Sequence, residues 1–277
     1  MPRRTPATPN PMVDLHTHVM FGWDDGAGTI EDSVAMARLA SDNGTRIMAA
    51  TPHLVWSGVT VDPQTIRDRV AQLNERIAQE GIDIRIVVGC EVPALWDHFN
   101  LIKHKKVLTL GEGSALLFEV PSHQHPLRFA DLIFQVRMTG LTPLMAHPER
   151  STPFLQNHDL FRATIDESIP VQITAGSLLG AYGKSVGGFA WEIVRQERPI
   201  VIASDGHGVE HRRPRLGSAH AMLAGELGEE AADLMCRGNP AALLEGNPIQ
   251  IARISRKAPP EGSRGLAGRI RRALRRD

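Results

Sequence analysis

Seven short runs rich in apolar and β-branched residues recur along the chain, at 13–16, 47–51, 85–89, 115–120, 142–147, 170–174 and 199–204, with helix-forming stretches between them. Strands that alternate with helices predict a parallel sheet covered by those helices. A parallel neighbour can be reached only by a long crossover, and a helix is the usual one. Two of the intervening helices are well marked. Thr29 caps a helix over 31–43 with Asp32 as its reciprocal partner, and Gly44 closes it. Asp62 followed by Pro63 opens a second, in which Ile66, Val70, Leu73 and Ile77 recur at helical spacing on one face. Shorter helices are expected at 129–138 and 187–196. Seven such units in about 240 residues fit an α/β barrel better than an open sheet.

The chain has 277 residues, 42% of them hydrophobic, enough for one substantial core. One domain is expected over 12–252. It is flanked by a proline-rich segment, 1–11, expected to be disordered, and by a basic tail, 253–277. No apolar run is long enough to span a bilayer, and the N-terminal arginines precede no apolar signal core. Two cysteines make no disulfide framework, so a cytoplasmic location is the default expectation. The neutral total charge hides a split: the tail carries nine Lys/Arg against Glu261 and Asp277, a net +7, leaving the body at −7. An acidic body with no basic groove argues against nucleic acid as a partner.

The ionisable residues fall where a barrel would use them. In Asp14-Leu15-His16-Thr17-His18, residues two apart on an extended strand share a side, so His16 and His18 can converge. His53 follows the second run, Glu91 the third, Glu119 closes the fourth, His147 the fifth, and Asp205 with His207 follows the seventh. Six of the seven strands thus end in His, Asp or Glu, on the face where barrel enzymes assemble their sites. Nitrogen and carboxylate ligands without thiolate suit Mn²⁺, Zn²⁺ or Fe²⁺. Eight ligands exceed the needs of one ion, so two or three ions sharing a bridging carboxylate are expected. Such clusters generate hydroxide near neutral pH and clamp a transferring phosphoryl group.

The segments DLHTH, WDDG, ATPH, GCEV, FEV, AHPER, TAGSLLGAYGK and ASDGH together resemble the PHP (polymerase and histidinol phosphatase) family, and within it the bacterial CpsB/YwqE-type tyrosine-protein phosphatases, over residues 12–249. The resemblance implies a distorted seven-stranded (β/α)7 barrel of the PHP type and a trinuclear site. His16, His18, Glu91 and Asp205 would hold one metal. Glu91, Glu119 and His147 would hold a second, with Glu91 bridging, and Asp25, His53 and His207 a third. Asp24 adjoins Asp25, and spacing alone does not separate them. The resemblance further implies two or three divalent ions, Mn²⁺ first with Fe²⁺ or Zn²⁺ as alternatives. Its implied substrate is a phosphotyrosyl protein, a bacterial tyrosine kinase whose dephosphorylation regulates capsular or exopolysaccharide synthesis.

In the expected reaction a metal-held hydroxide attacks phosphorus in line, and Arg150 binds the phosphoryl oxygens through its planar fork. Arg212 or Arg213, just past His207, is the second candidate, with Arg213 taken as the site residue. Thiol chemistry is excluded by spacing. Six residues after Cys90 stands Trp96 and six after Cys236 stands Ala242, so neither belongs to a Cys-x5-Arg loop. The glycines around Ser177, Tyr182 and Lys184 lack Walker spacing and are expected to form a flexible active-site loop. His123 and His125 are expected on a substrate-facing loop or as plain surface histidines rather than as a metal site. In the tail, Leu266, Ile270 and Leu274 recur every four residues among arginines. That pattern suits either disorder or peripheral contact with anionic membrane or an acidic partner. The competing functions are a histidinol-phosphatase-like small-molecule phosphatase and a catalytically silent metal-binding partner protein; a full ligand set argues against silence.

Overall fold

Among the described residues ten strands form in chain order: β1 (Met12–Thr17), β2 (Thr45–Ala50), β3 (Val55–Trp56), β4 (Val59–Thr60), β5 (Arg85–Val88), β6 (Glu91–Pro93), β7 (Ala115–Glu119), β8 (Thr142–Ala146), β9 (Val171–Thr174) and β10 (Ile200–Ala203). The structure is a computed structural model and describes residues 11–120 and 129–254. Nearly all of the N-terminal segment, the tail beyond Ile254, and His123 and His125 lie outside the described residues.

The main strands pair in parallel, in the order β1-β2-β5 and β10-β9-β8-β7-β6, while β3 and β4 make a small antiparallel hairpin. The third expected strand, 85–89, forms as β5, and after a break the chain resumes as β6 in the other sheet. The break falls at Gly89-Cys90, where a Cβ on Gly89 would stand 2.9 Å from Thr51 Cγ2 and 3.0 Å from Leu110 Cδ2. Isolated parallel bridges link the ends of the two sheets, Thr17 to Gly206 and His53 to Glu91.

Both faces of the strands are apolar, as parallel sheets require. Period-two alternation divides them. Phe118, Met145 and Ile202 belong to the large cluster that the helices cover. Leu117, Leu144, Ala146 and Val201 form a smaller cluster with Val13, Leu15 and Ala49. Polar strand ends then continue the face of the smaller cluster, since Glu119 stands two residues after Leu117 and Asp205 four after Val201.

The helices follow their sequence signals. Ile30–Asp42 starts with the reciprocal Thr29–Asp32 capping box, and Gly44 follows it at φ +90°. Pro63–Gln79 is capped by Asp62 and buries Ile66, Val70, Leu73 and Ile77. Phe129–Met138 buries Phe129, Leu132, Ile133 and Val136. The glycine-rich stretch expected to be a loop is instead largely helical, Ala175–Leu178 followed by Gly183–Val194. Its glycines serve the joint: Gly180 and Gly183 take φ values of +81° and +86°, which other residues rarely adopt. Among the described residues no helix is long and apolar enough to cross a membrane.

Candidate metal centre

The site starts with an irregularity in β1. Its register against β2 shifts by one residue between Asp14 and Thr17, a β-bulge. In an unbroken strand His16 would point away from Leu15; the extra residue lets the histidines take over the face that Val13 and Leu15 occupy below them. His16 and His18 are fully buried. Backbone bonds tie this strand end to the last one: His18 N donates to Gly206 O and Asp205 N to His16 O.

Glu91 stands at the centre. Its Oε1 lies 3.4 Å from His16 Nε2 and 3.0 Å from His147 Nε2. Its Oε2 lies 3.4 Å from His18 Nε2 and 3.0 Å from His53 Nδ1. Asp205 Oδ1 lies 3.4 Å from His16 Nε2 and 3.6 Å from His18 Nε2. On the solvent side, Asp25 Oδ1 is 3.3 Å from His207 Nε2 and 3.6 Å from His53 Nε2. Four overlapping groups could each hold an ion: His18, Asp25, His53 and His207; His16, His18 and Glu91; His16, His147 and Asp205; His53, Glu91 and Glu119. All nine residues singled out as ligands in the sequence lie in this one cluster.

The spacing suits cations. Nitrogen and oxygen ligands about 2.1 Å from a shared ion stand roughly 3.0–3.5 Å apart. Moreover His16 Nε2, Glu91 Oε2, Asp205 Oδ1 and His207 Nε2 are buried without a hydrogen-bond partner among the described residues. Buried polar atoms without partners are costly, and a cation would satisfy all four.

Three of the imidazoles, His16, His18 and His207, are held by their other nitrogen. Backbone His147 N can only donate, so the amide atom of Gln172 that faces it at 3.2 Å is Oε1. That same Oε1 lies 3.0 Å from His16 Nδ1, which must therefore carry the proton and leave Nε2 free for a metal. Asp24 Oδ2 does the same for His18 Nδ1 at 2.7 Å, and Asp205 O for His207 Nδ1 at 2.9 Å. This separates the paired aspartates. Asp24 is enclosed beneath His18 and also accepts from His53 N and Gly26 N, whereas Asp25 presents its oxygen to the cluster. Gly26 is required there, since a Cβ would stand 2.0 Å from His18 O. Trp23 Nε1 donates to His53 O, and Trp56 from the β3–β4 hairpin stacks on the His53 ring at 5.4 Å.

Electrostatics follow from this packing. Burial works against ionising Glu91 and Asp205, but the surrounding imidazoles, with Arg212 and Arg150 beside Asp205, hold both well below the usual carboxylate range. Burial pushes His147 down to about 4, so it is neutral and able to ligate. Burial opposes charge on His18 too, yet its contacts with Asp24 and Glu91 carry it up to about 10. A proton and a cation are alternatives on that Nε2, so metal binding there releases a proton. Burial, then the charge of Glu91, raises Glu119 to about 7.

Among the described residues, two arginines reach the rim. Arg150 Nη1 pairs with Asp205 Oδ2, which Arg212 Nη2 also meets at 2.6 Å, and Arg212 Nη1 lies 3.4 Å from Asp25 Oδ2. Arg213 is not brought in: it is exposed, and its Nε donates to Glu210 O. The backbone decides between them. Arg212 takes φ +47°, and His207 N donates to its carbonyl, closing a loop that folds Arg212 back over the cluster. His147 and Asp205 are left-handed as well, at φ +29° and +51°. Non-glycine residues rarely accept this, and here Gln172 Oε1 and His16 O hold the two amides in place. Cys90 and Cys236 are buried, and burial raises both thiols. A further group, His220, Glu229 and Asp233, lies outside the cluster, and Arg237 Nε already occupies Asp233.

A parallel α/β scaffold whose strand ends bring nine histidines and carboxylates together defines the class: a protein with clustered side chains that could hold metal ions. Residues 12–245 match the model of the family described as capsular polysaccharide synthesis, CpsB/CapC, and the chain belongs to that family. It is 32% identical over 238 residues to the tyrosine-protein phosphatase YwqE of Bacillus subtilis, covering 86% of this chain and 93% of that protein. It is 25% identical to the tyrosine-protein phosphatase CpsB of Streptococcus pneumoniae, covering 84% of this chain and 98% of that one. A crystal structure from work on YwqE and CpsB, described as unique metal-dependent tyrosine phosphatases, superimposes with a TM-score of 0.82 at 30% identity. That match spans 87% of this chain and all of the other.

Proposed function

We propose that this chain is a metal-dependent protein-tyrosine phosphatase that hydrolyses phosphotyrosine on a bacterial tyrosine kinase and thereby regulates capsular or exopolysaccharide synthesis. The observation that carries the reading is the convergence of nine ligand-type side chains around Glu91, joined to the match with YwqE. His16, His18, Glu91 and Asp205 would hold one ion, Glu91, Glu119 and His147 a second, and Asp25, His53 and His207 a third. Mn²⁺ is the first choice and Fe²⁺ or Zn²⁺ the alternatives, on donor chemistry. Bound divalent ions supply water of lowered pKa and neutralise charge on the phosphoryl oxygens.

The protein groups do the rest. Arg150 and Arg212, part-exposed at the rim, offer planar forks to phosphoryl oxygens, and Asp205 keeps them pointed inward until substrate arrives. Gln172, Asp24 and the Asp205 carbonyl fix the imidazole orientations. No thiol takes part, since both are buried and protonated. A phenoxide leaves readily, so no obligatory general acid is required.

We read the two sheets as one distorted seven-stranded barrel over 12–252, with the Thr17–Gly206 and His53–Glu91 bridges in support. We place the protein in the cytoplasm, with the basic tail as a contact for anionic membrane or an acidic partner. Co-sedimentation with anionic liposomes, with and without residues 253–277, tests the tail. For the activity, kcat/KM on phosphotyrosyl peptide, phosphoseryl peptide and histidinol phosphate in Mn²⁺ is decisive. The reading expects the phosphotyrosyl peptide to lead, and a lead for histidinol phosphate overturns it.

A further inference from the structure

Beside the metal cluster lies a cleft of about 590 Å³, lined by Tyr182, Ser204, Glu210 and three arginines, Arg212, Arg213 and Arg215, among others. Two features join it to the site. Ser204 directly precedes Asp205, and the Arg150 guanidinium lies over the Tyr182 ring at 4.8 Å from its centre. Gly176 makes room for that ring, since a Cβ there would stand 3.0 Å from Tyr182 Cε2.

The arginines divide by role. Arg212 is committed to Asp205 and Asp25. Arg213 and Arg215 are exposed, and among the described residues neither has a carboxylate partner. They are not loose surface residues in their backbone. Pro214 between them is buried and packs against Gly206, close enough that a Cβ on Gly206 would stand 3.1 Å from it. Arg215 N donates to Arg213 O across that proline. A turn anchored on the site therefore presents two unpaired cations on a body whose net charge is −7. Local positive charge of this kind attracts anionic groups over roughly a Debye length, about 8–10 Å.

We infer that this cleft is a specificity subsite that receives Asp or Glu residues flanking the phosphotyrosine of a peptide substrate, with Arg213 and Arg215 as the residues that select them. The inference rests on the phosphotyrosyl-protein reading above. Its volume falls in the range of ligand pockets, about 300–1,000 Å³, enough for a few side chains beside the one being dephosphorylated. Exposed ion pairs are weak singly, so each arginine should contribute about two- to fivefold in kcat/KM and the pair roughly five- to twentyfold, less at high salt.

The test uses the full-length, Mn²⁺-loaded protein and its Arg213→Ala/Arg215→Ala double variant. Three substrates are compared: p-nitrophenyl phosphate, a phosphotyrosyl peptide with Asp/Glu flanks, and the same peptide with Ala flanks. The expected result is a salt-sensitive preference for the acidic peptide that vanishes in the double variant, with p-nitrophenyl phosphate turnover unchanged. An Arg213→Glu/Arg215→Glu variant should favour the Ala-flanked peptide. No preference in the unaltered chain, or a preference that survives the double substitution, overturns the inference. So does loss of binding to phosphatidylglycerol vesicles in the double variant without any change in peptide preference, which would make the cleft a lipid contact. If p-nitrophenyl phosphate is hydrolysed but neither peptide is, the phosphotyrosyl-protein reading itself fails, and the subsite with it.

Discussion

Gln172 offers the sharpest test of how the cluster is held together. Its Oε1 accepts from His16 Nδ1 at 3.0 Å and from His147 N at 3.2 Å, and it is fully buried. Gln172→Leu keeps similar bulk and removes both contacts, leaving two buried donors unpaired. At about 1–2 kcal/mol each, the cost is roughly 2–4 kcal/mol of folding stability, a sizeable share of the ~5–15 kcal/mol of a typical domain. In melting temperature that is a fall of roughly 5–15 °C for a chain of this size. His16 also loses the bond that fixes its tautomer, which should weaken metal affinity by about 10–100-fold. Melts in EDTA read the first effect and calorimetric Mn²⁺ titration the second. Gln172→Glu, which retains the acceptor, should restore much of the metal affinity. If Gln172→Leu binds Mn²⁺ as tightly as the unaltered chain and melts at the same temperature, the tautomer argument is wrong.

Other outcomes follow from the same geometry. Arg150→Ala and Arg212→Ala should each lower kcat/KM for p-nitrophenyl phosphate by about 10- to 1,000-fold, and Arg150→Lys should recover little, because a point charge does not reproduce the fork. Unchanged turnover in either alanine variant removes that residue from the reaction. Iodoacetamide should leave activity intact while EDTA abolishes it, since Cys90 and Cys236 are buried with raised pKa values; thiol-sensitive turnover would contradict this. Gly26→Ala must push the Asp24-Asp25 turn away from His18 O, which a Cβ would approach to 2.0 Å. The variant should lose both thermal stability and Mn²⁺ affinity, and a melt and titration matching the unaltered chain would show that the turn yields freely.

The sequence made most of the site legible because ligands at strand ends need little tertiary information. Once 47–51 or 142–147 is read as a strand, His53 and His147 fall at its C-terminal end, and the fold supplies the convergence. What escaped depends on local backbone geometry. Asp24 and Asp25 differ only in which way the turn over Gly26 faces them. Arg212 and Arg213 exchange roles through a left-handed residue that no spacing announces. The bulge that aims His16 and the break between β5 and β6 are likewise backbone events, and only Gly89 marks the second of them in the sequence. Gln172 escapes a search for ionisable ligands because it is an amide; its signal is a polar side chain between the apolar Val171 and Ile173. The glycines of 176–188 suggest a loop because they permit one, whereas here Gly180 and Gly183 supply left-handed joints between helices.

On the proposed reading, one Glu91-centred cluster holds the ions and performs the phosphatase chemistry. Protein stripped with EDTA, titrated with Mn²⁺ while bound metal and phosphotyrosyl-peptide turnover are followed together, tests it most directly. Turnover should be absent without metal, recover as two to three ions bind per chain, and be lost together with metal binding in Glu91→Ala. Full turnover by the stripped protein, or undiminished Mn²⁺ stoichiometry in Glu91→Ala, would contradict it.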